Sequence, residues 1–132
     1  MNQANIRIKV GDEVEGRTKA VTLERMRAFS GWPNKNIHTD QETARSCGLP
    51  SPIASATMYM GYVTELLLNS FGEAWIEGGR LELAFVKIVA AGDELRARGK
   101  VVGEDEGGVK LEVWCENQRG EPVAAGTAWG PA

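Results

Sequence analysis

The sequence predicts an α+β fold in which one long buried helix is wrapped by a bent antiparallel β-sheet, and three observations lead there. The stretch from Pro52 to Phe71 is apolar around most of a helical circumference, the mark of a helix inside a core rather than on a surface. Downstream, the segments Arg80 to Val86, Glu94 to Val102, Val109 to Glu116 and Pro122 to Trp129 read as strands. They are divided by Gly92-Asp93, Gly107-Gly108 and Arg119-Gly120, turns short enough to join antiparallel neighbours. Within them Leu95, Ala97, Gly99 and Val101 alternate with Arg96, Arg98 and Lys100, and Val109, Leu111, Val113 and Cys115 alternate with Lys110, Glu112 and Trp114. Such a sheet has one dry face and one wet face, and the dry face needs a helix to cover it.

The N-terminal elements follow the same logic. Ile6, Ile8 and Val10 alternate with Arg7 and Lys9, predicting a short strand ended by Gly11-Asp12, and a second extended piece is expected over Val14 to Val21. Thr22 can cap a helix whose apolar positions Leu23, Met26 and Phe29 share one face and which stops near Gly31. The next residues, WPNKNI, hold a proline, two asparagines and no helical period, so they read as an ordered loop delivering His38. A short helix capped by Thr39 or Asp40 is expected to close at Gly48, with Pro50 and Pro52 separating it from the long helix.

With 132 residues, 42% of them hydrophobic, the chain is expected to form a single domain over residues 1–132 around one core. Fifteen Lys and Arg stand against 18 Asp and Glu, a formal charge of −3 spread without a basic block, which argues against nucleic acid as a partner. The longest apolar stretch is interrupted by Thr57, Thr64 and Glu65, and no basic segment followed by an apolar one opens the chain, so neither a membrane span nor a targeting signal is expected. Cys47 and Cys115 lie far apart with no C-x-x-C spacing, and one histidine without clustered thiols cannot build a metal site. A reducing cytoplasm, with no metal and no cofactor, is the expected setting.

His38 is the one side chain whose ordinary titration lies near neutrality, which makes it the first candidate for general acid or base work; the plainer alternative is that it caps the following helix or is solvated. On the long helix Thr57, Gly61 and Thr64 recur on one side as a small, polar stripe. Glycine within a helix costs about 1 kcal/mol relative to alanine, so Gly61 suggests close approach by a ligand, a strand or another chain. Glu65 adjoins the stripe and must reach water, find a partner or titrate abnormally. Arg96, Arg98 and Lys100 read as the wet face of a strand, and Trp114 as an outward aromatic available to an oligomer contact. No phosphate-binding glycine loop, H-E-x-x-H or G-x-S-x-G pattern occurs.

With these residues in view, AFSGWPNKNIHTD, then ARSCGLPSPIASATMYMGYVTELLLNSFG, then GGRLELAFVKIVAAGDELRARGKVV resemble the MaoC-like family of acyl dehydratases and R-specific enoyl-CoA hydratases. The specific parts are the I-H-T-D loop, the P-I-A opening of the long helix and the F-V-K-x-V-x-x-G-D-E-L segment, in that order. The resemblance implies a hot-dog fold, a working homodimer or higher homo-oligomer, and hydration of a trans-2-enoyl thioester of coenzyme A or a carrier protein, or the reverse. In such enzymes a loop histidine, matched by His38, and an aspartate form the acid/base pair. The carbonyl is polarised by a backbone N–H that falls here at Ala56, and a small hydroxyl residue matched by Thr64 lines the pocket. The usual loop reads D-x-N-P-x-H. Here Pro33 stands five residues before His38, flanked by Trp32 and Asn34, and no carboxylate occurs between Glu24 and Asp40. Asn34 can orient a water but cannot take its proton, which leaves His38 to act alone or with Glu65. Trp32, Met58, Met60 and Tyr62 are bulky enough to shorten an acyl tunnel. Three readings follow: an acyl-thioester lyase, a hot-dog thioesterase using Glu65, and a non-catalytic acyl-binding or partner subunit.

Overall fold

The structure, a computed structural model, describes residues 8–131. Its strands are β1 (Glu13–Glu15), β2 (Lys19–Ala20), β3 (Arg80–Phe85), β4 (Glu94–Asp105), β5 (Gly108–Glu116) and β6 (Pro122–Gly130). The helices are α1 (Leu23–Phe29), α2 (Gln41–Ser46), α3 (Ala56–Phe71) and α4 (Glu73–Gly78). All pairings are antiparallel, in the order β1-β4-β5-β6-β3, with β2 on the far end of β4. The register slips between Val101 and Gly103 and again between Cys115 and Glu116. Such irregularities bend the strands, and here the bent sheet wraps α3.

The period-2 pattern of β4 and β5 translates directly into burial. Leu95, Ala97, Val101, Val109, Leu111, Val113 and Cys115 are all buried, and Val63, Leu66, Leu67 and Phe71 of α3 pack against that face. Burying a side chain of this size contributes roughly 1.5–3 kcal/mol, so these rows are the main force holding helix to sheet. On the opposite face Arg98 pairs with Glu15 at 2.7 Å and Glu116 at 3.0 Å, Arg96 donates to Thr18, and Trp114 Nε1 donates to Glu116.

Several expectations need correction. The predicted strand over Ile6 to Val10 lies partly outside the described residues. Ile8 to Val10 run into a turn instead, because Asp12 accepts from the Lys9 N–H while its own N–H bonds the Lys9 carbonyl. The long helix begins at Ala56, not Pro52. The Ile53 N–H is taken by the Ile37 carbonyl, Ile53 bridges Ala90, and the Ala54 N–H is taken by the Val89 carbonyl, so residues 52–55 are held extended. The helix is also not sealed on all sides: Thr57 and Gly61 are exposed and Thr64 is half-buried, so the polar stripe faces outward. A Cβ added at Gly61 would meet nothing within 4 Å, so among the described residues no close approach explains that glycine. Phe29, expected on the inner face of α1, is exposed while Met26 is fully buried. The segment 73–78 carries no sequence pattern that assigns it. It forms α4, which begins after Gly72 turns with φ 69° and buries Trp75 against Phe71.

Candidate functional site

The loop between α1 and α2 is built around Asn36 and Thr39. Asn36 Oδ1 accepts from the His38 N–H at 2.9 Å, and its Nδ2 donates to the Ser30 carbonyl at 3.1 Å. The fully buried Thr39 hydroxyl donates to the Asn34 carbonyl at 2.8 Å and accepts from the Asn36 N–H at 2.9 Å. Arg27 Nε donates to the Thr39 carbonyl while its guanidinium stacks 3.8 Å over Trp32, tying α1 to the loop. The Trp32-Pro33 peptide bond is cis. Asp40 ends the loop as N-cap of α2, accepting from the Thr43 N–H and hydroxyl, and those bonds hold its carboxyl below the usual range. Gly48 closes α2 at φ 88°, a conformation that favours glycine.

This scaffold places His38 against the extended segment before α3, where its Nδ1 lies 2.8 Å from the Ile53 carbonyl. A carbonyl can only accept, so Nδ1 carries the proton in that contact and Nε2 is the basic nitrogen of the neutral ring. Because Ile53 is itself bonded to Ile37, the ring's orientation is fixed from both sides.

His38, Ile53, Ala54, Ala56 and Tyr59 form one wall of a pocket of about 400 Å³, and Phe85, Val86, Lys87 and Ile88 form the other. Ala56 is the first residue of α3, and the capping position before it, Ser55, makes no side-chain cap. Its hydroxyl is engaged with Thr57 at 2.8 Å instead. The first-turn N–H groups are therefore left without a side-chain acceptor, at the helix end where the dipole favours negative charge. Among the described residues no carboxylate lines this pocket.

Among the residues singled out from sequence, the structure brings His38 and Ala56 together and sets the others apart. Asn34 is exposed and enters the loop through its carbonyl, with its side chain outside the pocket lining. Trp32 packs on Arg27 over a separate shallow hollow on α1. Glu65 is at the surface in a 2.8 Å ion pair with Lys19. The Thr64 hydroxyl turns back to the Met60 carbonyl, a bond within its own helix. Sequence reasoning missed Asn36 and Tyr59. The Asn-x-His spacing, which suits an asparagine turn onto the N–H two residues on, was the available signal for the first, and position i+3 from Ala56 for the second. Cys115, pushed up to about 12 by burial, is an inert core thiol.

A long helix in the concavity of a bent antiparallel sheet defines the hot-dog class, and here a histidine loop meets the helix N-terminus at an apolar pocket. Residues 3–119 match the model of the MaoC like domain, and the chain belongs to that family of hydratases and dehydratases. Solved structures agree on the fold. The R-hydratase PhaJ1 from Pseudomonas aeruginosa is 24% identical, with TM-score 0.71 over 95% of this chain and 82% of that one. The (R)-hydratase of A. caviae involved in PHA biosynthesis is 22% identical, with TM-score 0.73 over 92% and 94%. The ChsH1-ChsH2 complex from Mycobacterium tuberculosis is 16% identical, with TM-score 0.77 over 95% and 98%. No curated protein matches. Among the described residues no helix is long and apolar enough to cross a membrane.

Proposed function

We propose that this protein is an acyl-thioester hydratase or dehydratase, acting on a trans-2-enoyl or 3-hydroxyacyl thioester of coenzyme A or a carrier protein. One observation carries the reading: an oriented histidine base and the uncapped start of a long helix share one apolar pocket. The thioester carbonyl would accept from the Ala56 N–H, and the acyl chain would lie along Phe85, Val86 and Ile88. In the hydration direction His38 Nε2 takes a proton from water as its oxygen attacks Cβ, while negative charge builds on the carbonyl oxygen at the helix end. The reaction so written needs no metal or other cofactor.

Phe85, Val86 and Ile88 are 44%, 60% and 55% exposed, and β3 is an edge strand. An apolar rim of this kind favours a second copy of the chain completing the pocket, and the working form is proposed to be a homodimer in the cytoplasm. The absence of a carboxylate from the described pocket lining favours a second reading, a non-catalytic acyl-binding or partner subunit. The surface ion pair of Glu65 gives thioester hydrolysis through that residue no support. Loss of enoyl-thioester absorbance on mixing native protein with crotonyl-CoA tests the proposal. Hydration that disappears in His38→Ala supports the lyase, whereas binding of acyl-CoA without turnover would point to the non-catalytic subunit.

A further inference from the structure

Hydration moves two protons, one off water and one onto Cα, and among the described residues three side chains lining the pocket can carry one: His38, Tyr59 and Lys87. Lys87 is 44% exposed and 3.5 Å from Glu121, so its charge is already engaged at the surface. Tyr59 differs on each count. Its residue surface is only 3% exposed, and its ring is held edge-on against Phe85 at 5.7 Å. Its hydroxyl has no hydrogen-bond partner among the described residues, yet it is not among the polar atoms fully sealed from solvent. A buried phenol normally finds a partner, and one left open into a pocket is available to a ligand.

Its place on α3 directs it to the reacting atoms. Tyr59 is three residues after Ala56, on the same side of the helix, and helical side chains lean toward the N-terminus, so the ring lies back over the turn that presents the Ala56 N–H. A thioester whose carbonyl sits on that N–H has its Cα one bond from the carbonyl carbon, within the pocket that Tyr59 also lines.

We infer that Tyr59 is the second catalytic residue of this pocket, supplying to Cα the proton for which the described pocket lining holds no carboxylate; this rests on the hydratase reading above. The water O–H bond breaks, its oxygen bonds Cβ and its proton passes to His38 Nε2. The Cα–Cβ π pair moves onto the thioester as an enolate held by the Ala56 N–H. As that pair returns to Cα, the Tyr59 Oη–H bond breaks and a Cα–H bond forms. The His38 imidazolium then returns its proton to the tyrosinate through pocket water, leaving both residues as they began. The titratable groups facing Tyr59 are His38 from the loop, Lys87 after β3 and Cys115 on β5. Desolvation, the largest cause, raises its phenol above the ordinary value and keeps it protonated at neutral pH.

The test is crotonyl-CoA hydration by native protein, Tyr59→Phe and protein carrying 3,5-difluorotyrosine at position 59. Tyr59→Phe keeps the ring contact, so melting temperature and KM are expected to hold while kcat falls roughly 10²-fold, within the range for one general acid or base. Difluorotyrosine, whose phenol is more acidic, is expected to move the alkaline limb of the rate profile to lower pH, and it decides the matter if Tyr59→Phe fails to fold. Native kcat in Tyr59→Phe, or an unmoved alkaline limb, overturns the role of Tyr59 and leaves the hydratase reading standing. A native protein that hydrates no enoyl thioester overturns the hydratase reading and the tyrosine's role with it.

Discussion

The outer face of the sheet and the mouth of the pocket are both solvent-facing, yet they are furnished in opposite ways. On β1, β4 and β5 Glu15 pairs with Arg96 and Arg98, and Arg98 again with Glu116. At the pocket mouth Phe85, Val86 and Ile88 stand exposed, and the polar groups are few. Exposed ion pairs contribute little to stability, so the first surface serves solubility. On the proposed reading, the contiguous exposed apolar side chains beside the fixed histidine receive the acyl chain.

That contrast can be broken by substitution, and the largest effect is expected at the pocket. His38→Ala should lower hydration roughly 10²- to 10⁴-fold with little change in melting temperature, because the ring makes one bond to the fold. Leu67→Ala, at a fully buried position of α3, should cost about 2–5 kcal/mol in denaturant unfolding and act on both surfaces by loosening the helix that joins them. Thr39→Val, which removes a buried hydroxyl and strands the Asn34 carbonyl and Asn36 N–H, should cost about 1–3 kcal/mol and lower kcat by misplacing His38. Arg98→Ala on the outer face should cost less than about 1 kcal/mol and leave kcat unchanged.

Acid offers a separate handle on the surface ion pairs and caps. Glu121, bonded by Asn117 and Arg119, is lowered from 4.5 to about 2, and Asp40 is lowered by its bonds to Thr43. Each binds protons more tightly when unfolded, so its contribution is complete above the ordinary carboxylate value and is lost as pH falls through the lowered one. The gap in melting temperature between native protein and Glu121→Gln should be open at pH 7 and should narrow as pH approaches 2. A gap constant over that range would contradict the assignment.

Where a single physical period governs an element, the sequence displays it. The alternation in β4 and β5 became burial residue by residue, and Thr22 and Asp40 cap their helices as their side chains suggest. The start of α3 was not legible, because a pairing with residues distant in the chain, Ile37 and Val89, overrides the helical pattern of residues 52–55. Its outward stripe was misjudged for a related reason: with Met58, Met60 and Tyr62 interleaved, the helix reads as apolar all round, and only the sheet's position decides which side is left open. His38 and Ala56 could be nominated, His38 by its chemistry and Ala56 by family resemblance. Tyr59 was signalled only by its i+3 spacing from Ala56, since between two methionines a buried phenol reads as packing until the pocket beside it is seen.

His38 is the chain's one histidine, so its imidazole resonances are identifiable without assignment of the rest of the spectrum. The most direct test of the central claim is to titrate those resonances by ¹⁵N NMR in the free protein and to set the curve beside the acidic limb of kcat/KM for crotonyl-CoA hydration. The account predicts that the two coincide and that the neutral ring carries its proton on Nδ1. A rate that ignores the protonation of His38, or a neutral ring protonated on Nε2, would contradict it.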